Sequence, residues 1–348
     1  MREGSISIIS IFMFLIIIML SMFTIYIYTI QYSITASSID NIQSNNITEN
    51  KLNEMIYDKE CFDEYLLPII IQKCRGNRVP SNGIWKIDFK NNPNMSNNLI
   101  ESYVEFEDID NRLNMILDIR TEYNNIEANL KAWVPVMKEI FELEQPILTQ
   151  SKLDFEYNQS FLELMKLLEK EIWEHDCSPT SSVRKFNSDK DMIIIMDRID
   201  TSHNMINPLN DKKELLQIYN DNLKELHRFT TNIMLINLKS NEENKSALII
   251  GEEYSPRNLK MQGVLYIEGD LVINQKFEFN GLIIINNGNI IINTYEKPTI
   301  NGMILHKGDL EPNEQDYNLN YDSNLVRWFC TYIPGAFNPE IQLIKKYW

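Results

Sequence analysis

From Ser5 to Ile39 the chain carries no charged side chain, and between Ile8 and Ile30 it is almost wholly Ile, Met, Phe, Leu and Tyr. A helix over that uncharged stretch would be about 50 Å long at 1.5 Å per residue. The hydrocarbon core of a bilayer is about 30 Å thick and needs only about 20 such residues. Two other readings compete. A cleavable secretory signal has an apolar region of about 7–15 residues behind a basic start; here the run is far longer, and the start holds one Arg and one Glu, although Ala36 and Ser37 would suit a cleavage site. A buried helix of a soluble protein is generally shorter and seldom free of charge for so long. The expectation is therefore a single transmembrane helix over 5–30, continued by a more polar helical extension over 31–59. Tyr26, Tyr28 and Tyr32 stand where an aromatic belt would meet the outer surface. Arg2 and the α-amino group flank one end, whereas the other begins with Asp40 and has no basic residue before Lys51. The positive-inside tendency then puts the N-terminus in the cytoplasm and the bulk of the chain outside it.

Charge narrows the partners. With 33 basic and 49 acidic side chains the net charge is −16. No basic stripe offsets it, so nucleic acid is excluded as a partner. Asn is abundant enough that the sequons at Asn46, Asn94, Asn158 and Asn244 are expected by chance. The four cysteines, Cys61, Cys74, Cys177 and Cys330, contain no C-x-x-C pair, which argues against a zinc ribbon. Cys61 with Cys74 is the most local disulfide, and buried free thiols are an equal alternative.

Beyond the helix the periodicity changes. Pro68 is expected to break a short segment over Phe62–Gln72. From Ile84 to Val134 apolar and polar residues alternate: Trp85, Ile87 and Phe89, then Leu113, Met115, Leu117 and Ile119, then Ala128, Leu130, Ala132 and Val134. Such alternation predicts half-buried antiparallel strands, with turns at Asp110-Asn111 and Asn124-Asn125. Helices are predicted over Phe161–His175 and Lys212–Phe229 from apolar residues at helical spacing. Met192–Met196 and Ala247–Ile250 read as short strands.

Three segments near the C-terminal end repeat: Gln262-Gly263 with Gly269-Asp270, Asn280-Gly281 with Gly288-Asn289, and Asn301-Gly302 with Gly308-Asp309, each pair enclosing an apolar run. The leading glycines stand eighteen and twenty-one residues apart. A repeat of that length predicts a short parallel β-solenoid, because one coil cannot bury its apolar strand without neighbours. In that reading the glycines form corners, and Gln262, Asn280 and Asn301 lie in a ladder. An antiparallel meander is the alternative, since Asn-Gly is a hairpin signal. The apolar tail, Tyr321–Trp348, would cap the open end.

No catalytic motif is present: no G-x-S-x-G, H-E-x-x-H, Walker loop or G-x-G-x-x-G. The neighbours His175, Asp176 and Cys177 would point to different helix faces, and Asp197, Asp200 and His203 read as a polar surface. Glu105, Glu107, Asp108 and Asp110 lack calcium-loop spacing and read as solvated charge at a hairpin. No catalytic residue, cofactor or metal ligand is expected, and the chain reads as a non-enzyme.

The N-terminus, Met1-Arg2-Glu3-Gly4 followed by Ser5-Ile-Ser-Ile-Ile-Ser and a long apolar helix, resembles type IV pilin-like proteins. It is closest to the PilX N-terminal domain group of Gram-positive bacteria. The stretch Tyr123–Ala132 and the repeat from Gly263 to Asp309 also resemble members of that group, while the rest of the middle does not. The resemblance implies cleavage by a prepilin peptidase after Gly4, leaving Ser5 first. Major pilins carry Glu at the fifth mature position, where this chain has Ile9, which fits a minor component. Together these readings give an α+β chain: a leader over 1–4, the transmembrane helix over 5–30, its extension over 31–59, a mixed ectodomain of antiparallel strands and helices over 60–250, the solenoid-like repeat over 251–320 and a C-terminal cap over 321–348. Its expected partners are membrane lipid and, through the N-terminal helix, other pilin-like subunits. The alternative is a membrane-tethered extracytoplasmic binding module outside any filament.

Overall fold

In the computed structural model the apolar run forms the front of one helix, α1 (Arg2–Tyr57), which contains no proline. The structure describes residues 2–347 apart from 77–78, 90–91, 171–182, 201–211, 221–224, 230–232, 241–244, 253–257 and 309–311. From Ser10 to Thr35 the helix is exposed, and it is long and apolar enough to cross a membrane. Burial begins at Ser44 and recurs at Thr48, Leu52, Met55 and Ile56, the three- and four-residue spacing of one helix face. The same helix thus changes environment along its length without a break.

A single helical turn, α2 (Lys59–Cys61), a π-turn over Phe62–Leu66 and α3 (Leu67–Cys74) then run end to end. Pro68 does not break this segment, contrary to the sequence expectation. It sits in the first turn of α3, where a missing N–H is tolerated, and the wider π-turn ahead of it takes up the displaced hydrogen bonding.

The alternating region folds as expected. Strands β1 (Trp85–Lys86), β2 (Leu99–Ile109), β3 (Arg112–Tyr123) and β4 (Ile126–Pro135) are antiparallel neighbours, with the short helix α4 (Pro93–Ser96) before β2. Both hairpins turn on Asp110-Asn111 and Asn124-Asn125, all four at positive φ between 48° and 64°, the mirror-image turn that matches strand twist. Leu117, Ile119, Leu130 and Ala132 are buried on the face that receives α1.

After β5 (Ile147–Thr149) and α5 (Phe155–Lys170), two further sheets are laid down. Their strands are β6 (Val183–Ser188), β7 (Met192–Asp200), β8 (Lys212–Asn220), β9 (Glu225–Phe229), β10 (Ile233–Leu238), β11 (Ser246–Ile250), β12 (Leu259–Ile267), β13 (Gly269–Ile273), β14 (Phe277–Asn286), β15 (Ile290–Ile292), β16 (Thr299–Lys307) and β17 (Asn318–Asn320). One sheet runs β17-β16-β14-β12-β10-β6, parallel throughout; the other runs β15-β13-β11-β7, parallel, then β8 and β9, antiparallel. The chain steps alternately between the two from β10 to β16. Phe277, Phe279, Ile283 and Ile285 of β14 pack with Leu248, Leu271 and Ile273 in the core between these sheets.

The helix predicted over Lys212–Phe229 is corrected to the strands β8 and β9. Leu216 and Ile218 also fit a period of two, and β8 pairs along the whole of β7, from Met192–Asn220 to Asp200–Lys212. Pairing with the edge of β7 satisfies the backbone of β8 and places its side chains on a sheet face, so tertiary pairing overrides local periodicity.

The leading glycine of each repeat does not stand at a corner, whereas Gly269, Gly288 and Gly308 lie where the strands β12, β14 and β16 give out. Gly263, Gly281 and Gly302 lie inside β12, β14 and β16 and face one another in register. Up to the glycine each strand alternates, burying one face only; beyond it, β14 is buried continuously. There Leu282 and Ile284 join the core shared with the antiparallel sheet, while Ile283 and Ile285 stay between the parallel sheets. The four-residue apolar run therefore marks strands covered on both sides.

The tail does not cover the open edge of the parallel sheet either. That edge, β16, is flanked by two short strands: β17 on Thr299–Asn301 and β5 on Ile304–His306. The tail instead folds as α6 (Ser323–Cys330), which lies on β14 and β16, and as β18 (Leu343–Tyr347), which adds to β4 in the antiparallel sheet.

Candidate functional site

Two regions carry features beyond packing: the exposed half of α1, and a polar cleft where three parallel strands end. On α1, Ile11, Phe14, Ile17, Leu20, Phe23 and Ile27 are exposed on several sides of the helix. Polar groups in that stretch are few, and five of its hydroxyls bond back into the helix. Ser21, Thr24, Thr29, Ser33 and Thr35 donate to the carbonyls four residues earlier at 2.8–3.0 Å. A hydroxyl satisfied in this way can enter hydrocarbon without losing its only partner. Gly4 and Ser5, expected to flank a cleavage point, are both helical.

Below this stretch the helix docks through polar as well as apolar groups. Ser44 Oγ donates to the Ile126 carbonyl at 3.0 Å, at the start of β4. Thr48 Oγ1 donates to the Ser44 carbonyl at 2.8 Å and lies 2.6 Å from Thr121 Oγ1 of β3, both buried. Because the only Thr48 hydrogen is used on Ser44, Thr121 is the donor across the interface.

The polar cleft, about 410 Å³, is lined by Glu169, Lys239, Ser240, Lys245, Glu268 and Asn286, with Asn287 at its edge. It sits at the C-terminal ends of β10, β12 and β14, beside the last turn of α5. Asn286 Nδ2 donates to Glu169 Oε1 at 2.9 Å and to the Tyr266 hydroxyl at 3.1 Å. Tyr266 in turn donates to Glu268 Oε1 at 2.9 Å. Lys307 Nζ is 3.5 Å from Glu169 Oε1, and Lys239 Nζ donates to the Glu169 carbonyl at 2.8 Å. Burial pushes the Tyr266 hydroxyl far above its ordinary range, so it stays a neutral donor. Glu169, Lys239 and Glu268 each have an opposite charge or a dipole beside them, an arrangement suited to hydrogen-bonded recognition. Sequence reasoning missed this cluster. The signal was the polar residue that closes each apolar run, namely Glu268, Asn286 and Lys307.

A third polar group is structural. Glu142 is buried and accepts from the Leu113 N–H at 2.8 Å. Arg327 of α6 lies 3.7 Å from it and 2.7 Å from Asp108. Burial pushes the Glu142 carboxyl up, and the Leu113 N–H and Arg327 act against that. Of the acidic hairpin residues, Glu105, Glu107 and Asp110 are exposed as expected, and Asp108, also exposed, ties the hairpin to α6.

The remaining sequence candidates do not converge. His175, Asp176, Cys177 and His203 lie outside the described residues, and Asp197 and Asp200 stand on β7. Among the described residues no group of three or more His, Cys, Asp or Glu side chains is placed to hold a metal ion. Cys61, Cys74 and Cys330 are free thiols. Cys74 stands thirteen positions after Cys61 along end-to-end helix, a rise of about 20 Å. A disulfide needs Cα atoms within about 7 Å, so this structure does not bring that local pair together. Asn280 and Asn301 do form the expected ladder contact, with Asn301 Nδ2 donating to Asn280 Oδ1 at 2.8 Å. No known protein family, curated protein or solved structure matches the chain.

Proposed function

We propose that this chain is a membrane-anchored, pilin-like surface protein, a minor component of a type IV pilus-like assembly or of adhesion, and not a catalyst. One observation carries the reading: α1 is a single helix with an exposed apolar front half and a back half docked on an antiparallel sheet. A helix so divided anchors in lipid while the chain is unassembled. It also offers a long apolar surface to the equivalent helix of another subunit. The start Gly4-Ser5 before the apolar run supports processing at that bond, with the N-terminus cytoplasmic and the folded bulk outside. Ile9 in place of a glutamate favours a minor position over a main-shaft subunit. The in-register stacking of Gly263, Gly281 and Gly302, with the chain alternating between two sheets, supports reading the C-terminal repeat as a short β-solenoid. That solenoid would form a rigid display surface.

N-terminal sequencing of the protein from cells, together with fractionation after shearing, tests the proposal. A start at Ser5 and recovery in sheared filaments are expected. A start near Ser37 with a soluble product overturns it. The polar cleft favours a second reading, a tethered binding module, and recovery of the Ser5-started chain only in membranes selects that reading.

A further inference from the structure

The ends of α3 and α6 meet. Their Cα atoms approach within 8 Å, and one helix ends at Cys74 while the other ends at Cys330. The residue after each cysteine fastens the junction: Arg75 Nε donates to Thr331 Oγ1 at 2.9 Å, and the Arg75 guanidinium lies over the Tyr332 ring, 4.4 Å from its centre. Cys330 is completely buried, and Cys74 packs against the same apolar core.

The electrostatics agree with that proximity. Burial pushes the Cys330 thiol well up, and the next largest influence on it is Cys74 itself. Burial pushes Cys74 up to about 12. Cys61, by contrast, is raised by burial and by Glu54, Asp58 and Glu64. With Cys74 in the surroundings of Cys330, and both at the tips of two packed helices, the two sulfurs are placed as a pair and not as isolated core thiols.

We propose that Cys74 and Cys330 are a disulfide site that locks α3 to α6 when the chain meets a disulfide oxidant, such as oxidised glutathione or a thioredoxin-class dithiol oxidase. Cys74, the more accessible sulfur, loses its proton and attacks one sulfur of the oxidant, expelling a thiolate. Cys330 then attacks the Cys74 sulfur of the mixed disulfide and expels the second thiolate. Two protein thiols and one oxidant disulfide become one protein disulfide and two reduced oxidant thiols, which take up the two protons. Because burial disfavours both thiolates, the exchange is slow on the folded protein and fast while the chain is folding. The bond would close a loop that runs through both parallel sheets, so it constrains most of the unfolded ectodomain. The proposal does not depend on the pilin reading.

The test uses the full chain in detergent, unfolded and refolded in a glutathione redox buffer, alkylated, and mapped by non-reducing peptide mass spectrometry. The expected result is a Cys74 peptide joined to a Cys330 peptide, with two fewer free thiols and a Tm higher than the reduced form by roughly 5–10 °C. Reduction should reverse both changes. Recovery of Cys74 and Cys330 as alkylated thiols, or of either joined to Cys61 or Cys177, overturns the proposal. Cys74→Ser, at the less buried position, should fold and lose the redox-dependent Tm shift; if that shift persists in C74S, the assignment is wrong.

Discussion

Replacing Gly281 with alanine probes the packing that stacks the parallel strands. A Cβ built there would stand 2.0 Å from the backbone oxygen of Gly263, well inside contact distance, and the φ of +144° is one that L side chains rarely adopt. Holding a non-glycine residue in such a conformation costs about 1–3 kcal/mol. Relieving the clash requires β14 to move away from β12 by about 1 Å against a strand spacing of about 4.8 Å. That displacement weakens two or three ladder hydrogen bonds at about 0.5–1.5 kcal/mol each. The total is roughly 2–7.5 kcal/mol, a large share of the stability of a typical domain. Urea unfolding of the detergent-solubilised chain, followed by tryptophan fluorescence, measures it. Gly76→Ala is the control: Gly76 has φ +66° and nothing within 4 Å of an added Cβ, so only the backbone cost of about 1–2 kcal/mol applies. If G281A proves no more destabilising than G76A, close backbone approach is not why glycine occupies β12, β14 and β16.

The helix–sheet dock predicts an asymmetric pair. Thr48→Val leaves the Thr121 hydroxyl without an acceptor in a buried site and should cost about 1–3 kcal/mol. Thr121→Val costs less, because Thr48 keeps its bond to Ser44, and the double variant should be more stable than T48V alone; equal single costs in chemical denaturation would contradict this donor assignment. Glu142→Gln keeps the acceptor for Leu113 while removing a buried charge. Since the folded-state pKa of Glu142 is raised above its unfolded value, the wild-type carboxylate destabilises at neutral pH and the wild-type chain regains stability as pH falls through that raised pKa. The advantage of E142Q, measured as a difference in unfolding free energy, should therefore shrink from about pH 7 toward about pH 4.5; a pH-independent difference would refute the buried-charge account.

Legibility followed the range of the interactions. The antiparallel strands could be read from Leu113, Met115, Leu117 and Ile119 alone, because one buried face imposes its period on the residues themselves. Their turns were equally plain, since Asp110-Asn111 and Asn124-Asn125 accept positive φ at low cost. The stretch Lys212–Phe229 reads as a helix because its apolar residues satisfy two periods, and only pairing with the edge of β7 chooses between them. The polar cleft was invisible for a related reason: Glu169 and Asn286 are far apart in the chain and meet only because α5 ends beside the strand ends.

By itself, the sequence determined that α1 has a front stretch without charge, from Ser5 to Ile39, long and apolar enough to cross a membrane, since that follows from composition and length wherever the rest of the chain lies. It also determined that three glycines would fall at matching positions. What those glycines do was decided by tertiary structure: stacked parallel strands bring Gly263, Gly281 and Gly302 so close that no side chain fits between them. The partner of Cys74 was decided the same way, because contacts between α3 and α6 depend on how helices pack, and no local spacing encodes that.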